Sequence, residues 1–291
     1  TEQLSPLSSR PTYTETENDL TVKANKRTFI FSKKDGQLKG VSVDNRKISF
    51  ANGPRFIGAR RADRSLDQFY NHDDEKAKEK DRTYSEFPDA AVFTKLDVKE
   101  DGGNLVVTAN YKLGNLDKAQ WTINPSGELA LDYTYNFSGV VDLMGIRFDY
   151  PEDQVISKRW LGAGPYRVWQ NRIHGTQYDV WENDYNDPIP GETFTYPEFK
   201  GYFGDVSWMN IQTKEGTINL TNETPDAYIG VYQPRDGRDR LLYTLPESGI
   251  SVLNVIPPVR NKVNSTDLCG PSSQPKWVNG PQTGRVIFRF M

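Results

Sequence analysis

Between Lys158 and Asp184 the chain reads KRWLGAGPYRVWQNRIHGTQYDVWEND. This stretch holds three tryptophans, two tyrosines and His174, one of two histidines in the protein. Aromatic side chains present a broad apolar face. Such a face can carry the C–H side of a sugar ring while polar neighbours bond the hydroxyls. Trp160, Trp169, Trp181 and Trp208 sit among Asn171, Arg172, Asn183 and Asp205. Trp160 and Trp208 lie within alternating runs and are expected in a core. Trp169 and Trp181 remain open between core and ligand platform.

Other chemistries draw on fewer residues. His72, in YNHDD, and His174, in RIHGT, could form an acid–base pair if the fold brought them together. Two loop histidines are the plainer reading. Glycoside hydrolysis needs two carboxylates held about 5 to 9.5 Å apart. Glu182, Asp184 and Asp205 are candidates, but spacing in sequence fixes no distance. ENDYND offers Glu182, Asp184 and Asp187 to a hard cation, and HDDE offers Asp73, Asp74 and Glu75. Neither cluster has an EF-hand spacing, and Asp and Asn in polar loops ordinarily build turns. Cys269 is the one cysteine, so no intrachain disulfide forms; it reads as a small buried hydrophobe and leaves the compartment open. LGAGP lacks the Gly-Lys-Ser/Thr of a phosphate loop. No cofactor is expected.

The elements that must position these residues are strands. TVKANKRTFIFSKKDGQLKGVSVDNRKISF alternates and breaks at Asp35-Gly36 and Asp44-Asn45, which read as hairpin turns. Phe29 and Phe31 would share one face, with Thr28, Ile30 and Ser32 on the other. In ELALDYTYNF, Leu129, Leu131, Tyr133 and Tyr135 share a face. Comparable runs continue to RVIFRF near the end, often 8–12 residues apart, which is the signature of a sandwich or barrel. Residues 60–89 are charged and alternate little. They read as a long excursion from a sheet edge, with a short helix near Asp73–Lys80 as an option. The expected organisation is a polar leader or linker over 1–18 and one large all-β, two-sheet sandwich over 19–291.

Composition agrees. The 291 residues carry a formal net charge of −3, 36% apolar residues, and 15 Tyr and 14 Phe. Aromatic residues favour pleated sheets. Near-balanced charge gives no basic footprint for nucleic acid or an anionic membrane. No apolar run is long enough to span a bilayer as a helix.

Four motifs, in order, resemble the C-terminal domain of family 2 β-galactosidases, the β-galactosidase small chain. GQLKGVSVDNRKISFANGPRF resembles the family's opening hairpin and Gly-Pro segment. MGIRFDYPEDQVISKRWLGAGPYRVWQNR resembles its Trp-x-Gly-x-Gly-Pro segment through Trp160, Gly162, Gly164, Pro165 and Arg172. TYPEFKGYFGDVSWMNI matches a third pattern through Pro197, Glu198, Gly201, Asp205, Val206 and Trp208. TDLCGPSSQPKW followed by RVIFRF resembles the family's ending.

The resemblance runs from about Asp19 to Met291. It implies a β-supersandwich of the galactose mutarotase type, following a TIM barrel that carries the two catalytic glutamates. This chain alone would then be non-catalytic. It would support the barrel, in the parent chain or a large subunit, and help form the carbohydrate site. The contacts expected are Trp169, Asn171, Arg172, His72 and Trp277, with Tyr166 to Arg172 on the surface.

The family's substrate-stacking tryptophan falls at Cys269, and a thiol cannot supply that platform, so galactoside specificity does not carry over. Two other readings stand beside this one. One is an independent carbohydrate-binding module. The other is an aldose epimerase-like enzyme, a family that uses two histidines and a glutamate on such a sandwich. Its Asn-His motif follows its other histidine, whereas Asn71-His72 comes first here.

Overall fold

Leu129, Leu131, Tyr133, Tyr135 and Phe137 alternate with less buried neighbours along one strand, and all five turn into the core. The same period of two places Phe29 and Phe31 in the core and leaves Thr28 and Ile30 half-buried. This patterning builds the whole molecule. The computed structural model describes residues 9–61, 84–184, 201–231, 245–258 and 270–291. His72, Asp73, Asp74, Glu75, Asp187 and Cys269 lie outside them, as does the optional helix near Asp73–Lys80.

The described residues form nineteen strands and two single 3₁₀ turns. One sheet contains β1 (Thr12–Glu15), β2 (Asp19–Ala24), β3 (Arg27–Ser32), β4 (Leu38–Val43), β5 (Arg46–Ile48), β6 (Ala51–Arg61) and β7 (Tyr84–Glu86). The opposite sheet takes β8 (Val92–Asp101), β9 (Asn104–Lys112), β10 (Leu116–Ile123) and β11 (Leu129–Val141). The chain returns to the first sheet for β12 (Leu143–Asp149) and then to the second for β13 (Val155–Gly164), β14 (Gln177–Asp184), β15 (Trp208–Thr213) and β16 (Gly216–Asn222). It adds β17 (Tyr228–Gly230) and β18 (Ile250–Val255) to the first sheet and ends with β19 (Lys276–Phe290) in the second.

The ten-stranded sheet has the order β1-β2-β3-β4-β6-β12-β18-β17, with β5 on β4 and β7 on β6. The nine-stranded sheet has the order β14-β13-β15-β16-β19-β11-β10-β9-β8. Neighbouring strands pair antiparallel, as in the β11–β19 and β6–β12 ladders. The architecture is the large two-sheet antiparallel sandwich read from the sequence. Strand pairing starts inside the stretch read as a leader: β1 runs against β2 from Thr12↔Lys23 to Glu15↔Leu20.

The space between the sheets is aromatic. Phe50 stacks on Phe148 at 4.7 Å, Phe288 meets Phe50 at 4.9 Å, and Trp121 meets Phe148 edge-on at 6.0 Å. Trp160 is fully buried and edge-on to Phe203 at 4.9 Å, as expected of a core tryptophan. Trp208 corrects its expectation, because it is half-buried. Its neighbour Met209 is the residue that points into the core, so Trp208 takes the outer face of the sheet, between Leu161 and Thr221.

One carboxylate ties the two sheets together. Glu215, in the β15–β16 turn, accepts from the Ser49 backbone N–H at 2.8 Å, the Ser49 hydroxyl at 2.6 Å and the Tyr150 hydroxyl at 3.3 Å. Ser49 and Tyr150 belong to the ten-stranded side. Glu215→Ala would leave these partly buried donors unmatched. The expected cost is about 1–3 kcal/mol in denaturant unfolding, with a smaller loss for Glu215→Gln, which keeps an acceptor oxygen. An unchanged midpoint in Glu215→Ala would show that water replaces the carboxylate.

Candidate functional site

The chain leaves β13 at Gly164 and Pro165 and does not turn back at once. A Cβ on Gly164 would lie 2.4 Å from the Trp181 ring, so only glycine lets the exit pass under that indole. Trp181 is half-buried and donates its indole N–H to the Gln177 carbonyl at 3.1 Å. That contact makes it a structural residue of the β13–β14 hairpin.

The following segment packs on the outer face of the ten-stranded sheet. Val168 and Tyr202 exchange backbone hydrogen bonds at 2.7 and 2.8 Å. Trp169 is edge-on to Tyr202 at 5.6 Å. Both join Ile57, Ala59, Leu143 and Leu253 in a second apolar cluster. A Cβ on Gly201 would sit 2.2 Å from the Val168 carbonyl oxygen, so glycine is what allows this approach. Burial of the Tyr202 ring pushes its hydroxyl far above the usual tyrosine range.

These contacts correct the surface expectation for Tyr166 to Arg172. Trp169 is 1% exposed, and Arg167, Val168 and Gln170 are buried. Tyr166 and Arg172 are exposed, and Asn171 is half-buried. The physical reason is the apolar outer face of β6 and β12, which needs a cover; Val168 and Trp169 provide it. Trp169 therefore positions the loop and is unavailable as a platform.

Gln170 ties the loop to two segments distant in sequence. Its backbone N–H donates to the Pro257 carbonyl at 3.1 Å, and its side-chain amide donates to the Gln274 carbonyl at 2.7 Å. Arg172 and Trp169 close a tight turn, with Arg172 N–H on the Trp169 carbonyl at 2.8 Å. Gln274 lies three residues before Trp277, which opens β19 opposite Val140 and is 70% exposed. Asn171, Arg172 and Trp277 are thus carried by two segments that Gln170 ties together. Tyr166 and Ile173 add exposed apolar surface to the loop. His72 lies outside the described residues.

The remaining candidates are exposed. His174 is exposed in the turn before β14. Glu182 and Asp184 are exposed on β14, and Asp205 is exposed with φ +49°. Among the described residues no three His, Cys, Asp or Glu side chains gather as metal ligands. Also among those residues, no helix is long and apolar enough to cross a membrane. Sequence reasoning missed Gln170, whose partner is 104 residues away and leaves no local signal.

Three comparisons bear on this architecture. The family model described as beta galactosidase small chain matches residues 23–261. No curated protein matches the chain. Among solved structures, the galactose 1-epimerase of Lactobacillus acidophilus NCFM is 10% identical, with a TM-score of 0.51, over 98% of this chain and 99% of that one. An aldose epimerase homologue from C. elegans is 7% identical, with a TM-score of 0.42, over 96% and 99% of the two chains. The likeness to the Lactobacillus enzyme shows a shared galactose mutarotase-like fold.

Proposed function

The chain belongs to the β-galactosidase small chain family, and from that premise we propose that it is a non-catalytic domain acting beside a larger catalytic partner. In this reading it buttresses a glycoside hydrolase barrel and lends one wall to its carbohydrate site. The observation that carries the reading is Trp277. A tryptophan 70% exposed at the end of a rigid strand is costly to leave in water and suits a sugar face or a partner surface. Support comes from the Gln170 tether, which joins the loop bearing Asn171 and Arg172, side chains able to bond hydroxyls, to Gln274 in the segment leading into β19.

The test uses the chain together with its catalytic partner. Trp277→Ala is expected to weaken substrate use about tenfold or more in kcat/KM, mostly through KM, with the melting temperature unchanged. Asn171→Ala and Arg172→Ala should act in the same direction with smaller effect. Unchanged kinetics in Trp277→Ala would remove the wall role. Loss of co-purification with the partner would instead assign Trp277 to the protein–protein contact.

A further inference from the structure

A polar cleft of about 420 Å³ lies at one end of the ten-stranded sheet. It is framed by the approach to β2, the β3–β4 turn and the start of β6. Asn52, on its wall, and Arg61 lie nine residues apart on β6. At about 3.3 Å per residue that is on the order of 30 Å. Arg61 donates its N–H at 2.9 Å to Asp142, immediately past the β11 residue that pairs with Lys276. The cleft is therefore remote from the Trp277 end.

Both walls are held by their own hydrogen bonds. In the β3–β4 turn, Gly36 N–H donates to the Ser32 carbonyl and Ser32 N–H to the Gln37 carbonyl, each at 2.9 Å. Gly36 has φ +73°, and a Cβ there would lie 2.6 Å from the Phe93 ring, so the turn needs glycine. On the facing wall Thr16 N–H donates to the Asp19 carbonyl at 2.9 Å, and Asp19 N–H to the Thr16 hydroxyl at 3.0 Å. Lys33 N–H on the Asn18 carbonyl at 2.7 Å joins the two walls. The site is preformed, so a ligand would not have to order it.

Its side chains divide into committed and uncommitted groups. Asp19 is paired with Lys39 at 2.9 Å, and Asn52 donates to Asp149 at 2.8 Å. Asp35 uses one oxygen to accept from Gln37 N–H at 3.1 Å. The side chains of Asn18, Lys34 and Gln37 make no hydrogen bond among the described residues. Two amides supply donors and acceptors together, Lys34 supplies donors, and the second Asp35 oxygen accepts. Two aspartates against two lysines leave the lining without net charge.

We propose that this cleft is a second ligand site, one that binds a neutral polyhydroxylated unit such as a single sugar residue, through Asn18, Lys34, Asp35 and Gln37. Balanced charge disfavours anions and cations alike. Interleaved donors and acceptors match a ring of hydroxyls, each of which needs both. The volume falls within the ~300–1,000 Å³ usual for small-molecule sites. The site is independent of the catalytic partner and of the reading given for Trp277.

The experiment is titration of the whole chain with galactose, glucose, lactose, glucuronate and glucosamine, followed by calorimetry and by amide shifts in NMR. Neutral sugars should bind with a Kd on the order of millimolar and shift the amides of Asp35, Gly36 and Gln37. Asn18→Ala and Lys34→Ala, at exposed positions, and Gln37→Ala should each weaken binding about tenfold without changing the melting temperature. Trp277→Ala should leave it intact. No binding of any neutral sugar would overturn the proposal. So would binding that survives Gln37→Ala but is lost in Trp277→Ala, and so would tighter binding of glucuronate or glucosamine.

Discussion

Trp169→Ala is expected to destabilise the protein by about 3–5 kcal/mol, the range for deleting a buried indole from a packed core. The residue is 1% exposed, edge-on to Tyr202, and covers Ile57, Ala59, Leu143 and Leu253 on the outer sheet face. Its removal would loosen the loop that Gln170 fastens to Pro257 and Gln274, so Trp277 would lose a fixed neighbour. Denaturant unfolding followed by far-UV circular dichroism measures the change. Trp169→Phe, which keeps an aromatic cover, should lose less than half as much. A surface tryptophan would give a change within about 0.5 kcal/mol, and that result would return Trp169 to the list of ligand contacts.

The second large effect is alkaline unfolding. Burial pushes the hydroxyls of Tyr133 and Tyr150 up to about 12, and it holds Tyr111, Tyr135 and Tyr202 above the usual value too. In the unfolded chain these groups ionise near pH 10. Above that pH the unfolded state binds fewer protons than the native state, so stability falls as pH rises. The contribution is fully present below pH 10 and is lost as pH climbs through about 12. For Tyr133 alone a two-unit rise corresponds to roughly 3 kcal/mol. Tyrosinate absorbance from the buried set should therefore appear together with loss of the β-sheet dichroism, in one cooperative step between about pH 10 and 12. Gradual titration with the sheets intact would show that water reaches these rings. Tyr133→Phe should move the transition to higher pH.

Much of the fold was legible because its signal is local. Alternation alone put Leu129, Leu131, Tyr133 and Tyr135 on one face of a strand and Phe29 and Phe31 on one face of another, and both sets turn into the core; Asp35-Gly36 falls in a real turn. Order among motifs supplied the architecture. Alternation says which residues share a face, but it does not say which face is covered twice. The outer face of β6 and β12 is apolar and carries a second layer, which turned Trp169 from a platform into a cover. Trp208 shows the converse: it sits in an alternating run, yet on the outer face. The polar cleft was illegible for another reason. Asn18 and Gln37 come from two separate connections and Asn52 from the start of β6, and each looks like ordinary local chemistry until register brings them together.

The place of β19 has a consequence for how the protein is made. This last strand lies between β16 and β11, pairing Ile218 through Asn222 on one side and Leu129 through Val141 on the other. Until β19 emerges from the ribosome, β14-β13-β15-β16 and β11-β10-β9-β8 are two fragments, each with a bare inner edge. Earlier strands can form hairpins but cannot reach the native sheet. β19 thus enters as a wedge between two halves that its absence leaves apart. The nascent chain must be kept from pairing those edges with a neighbour's until β19 arrives.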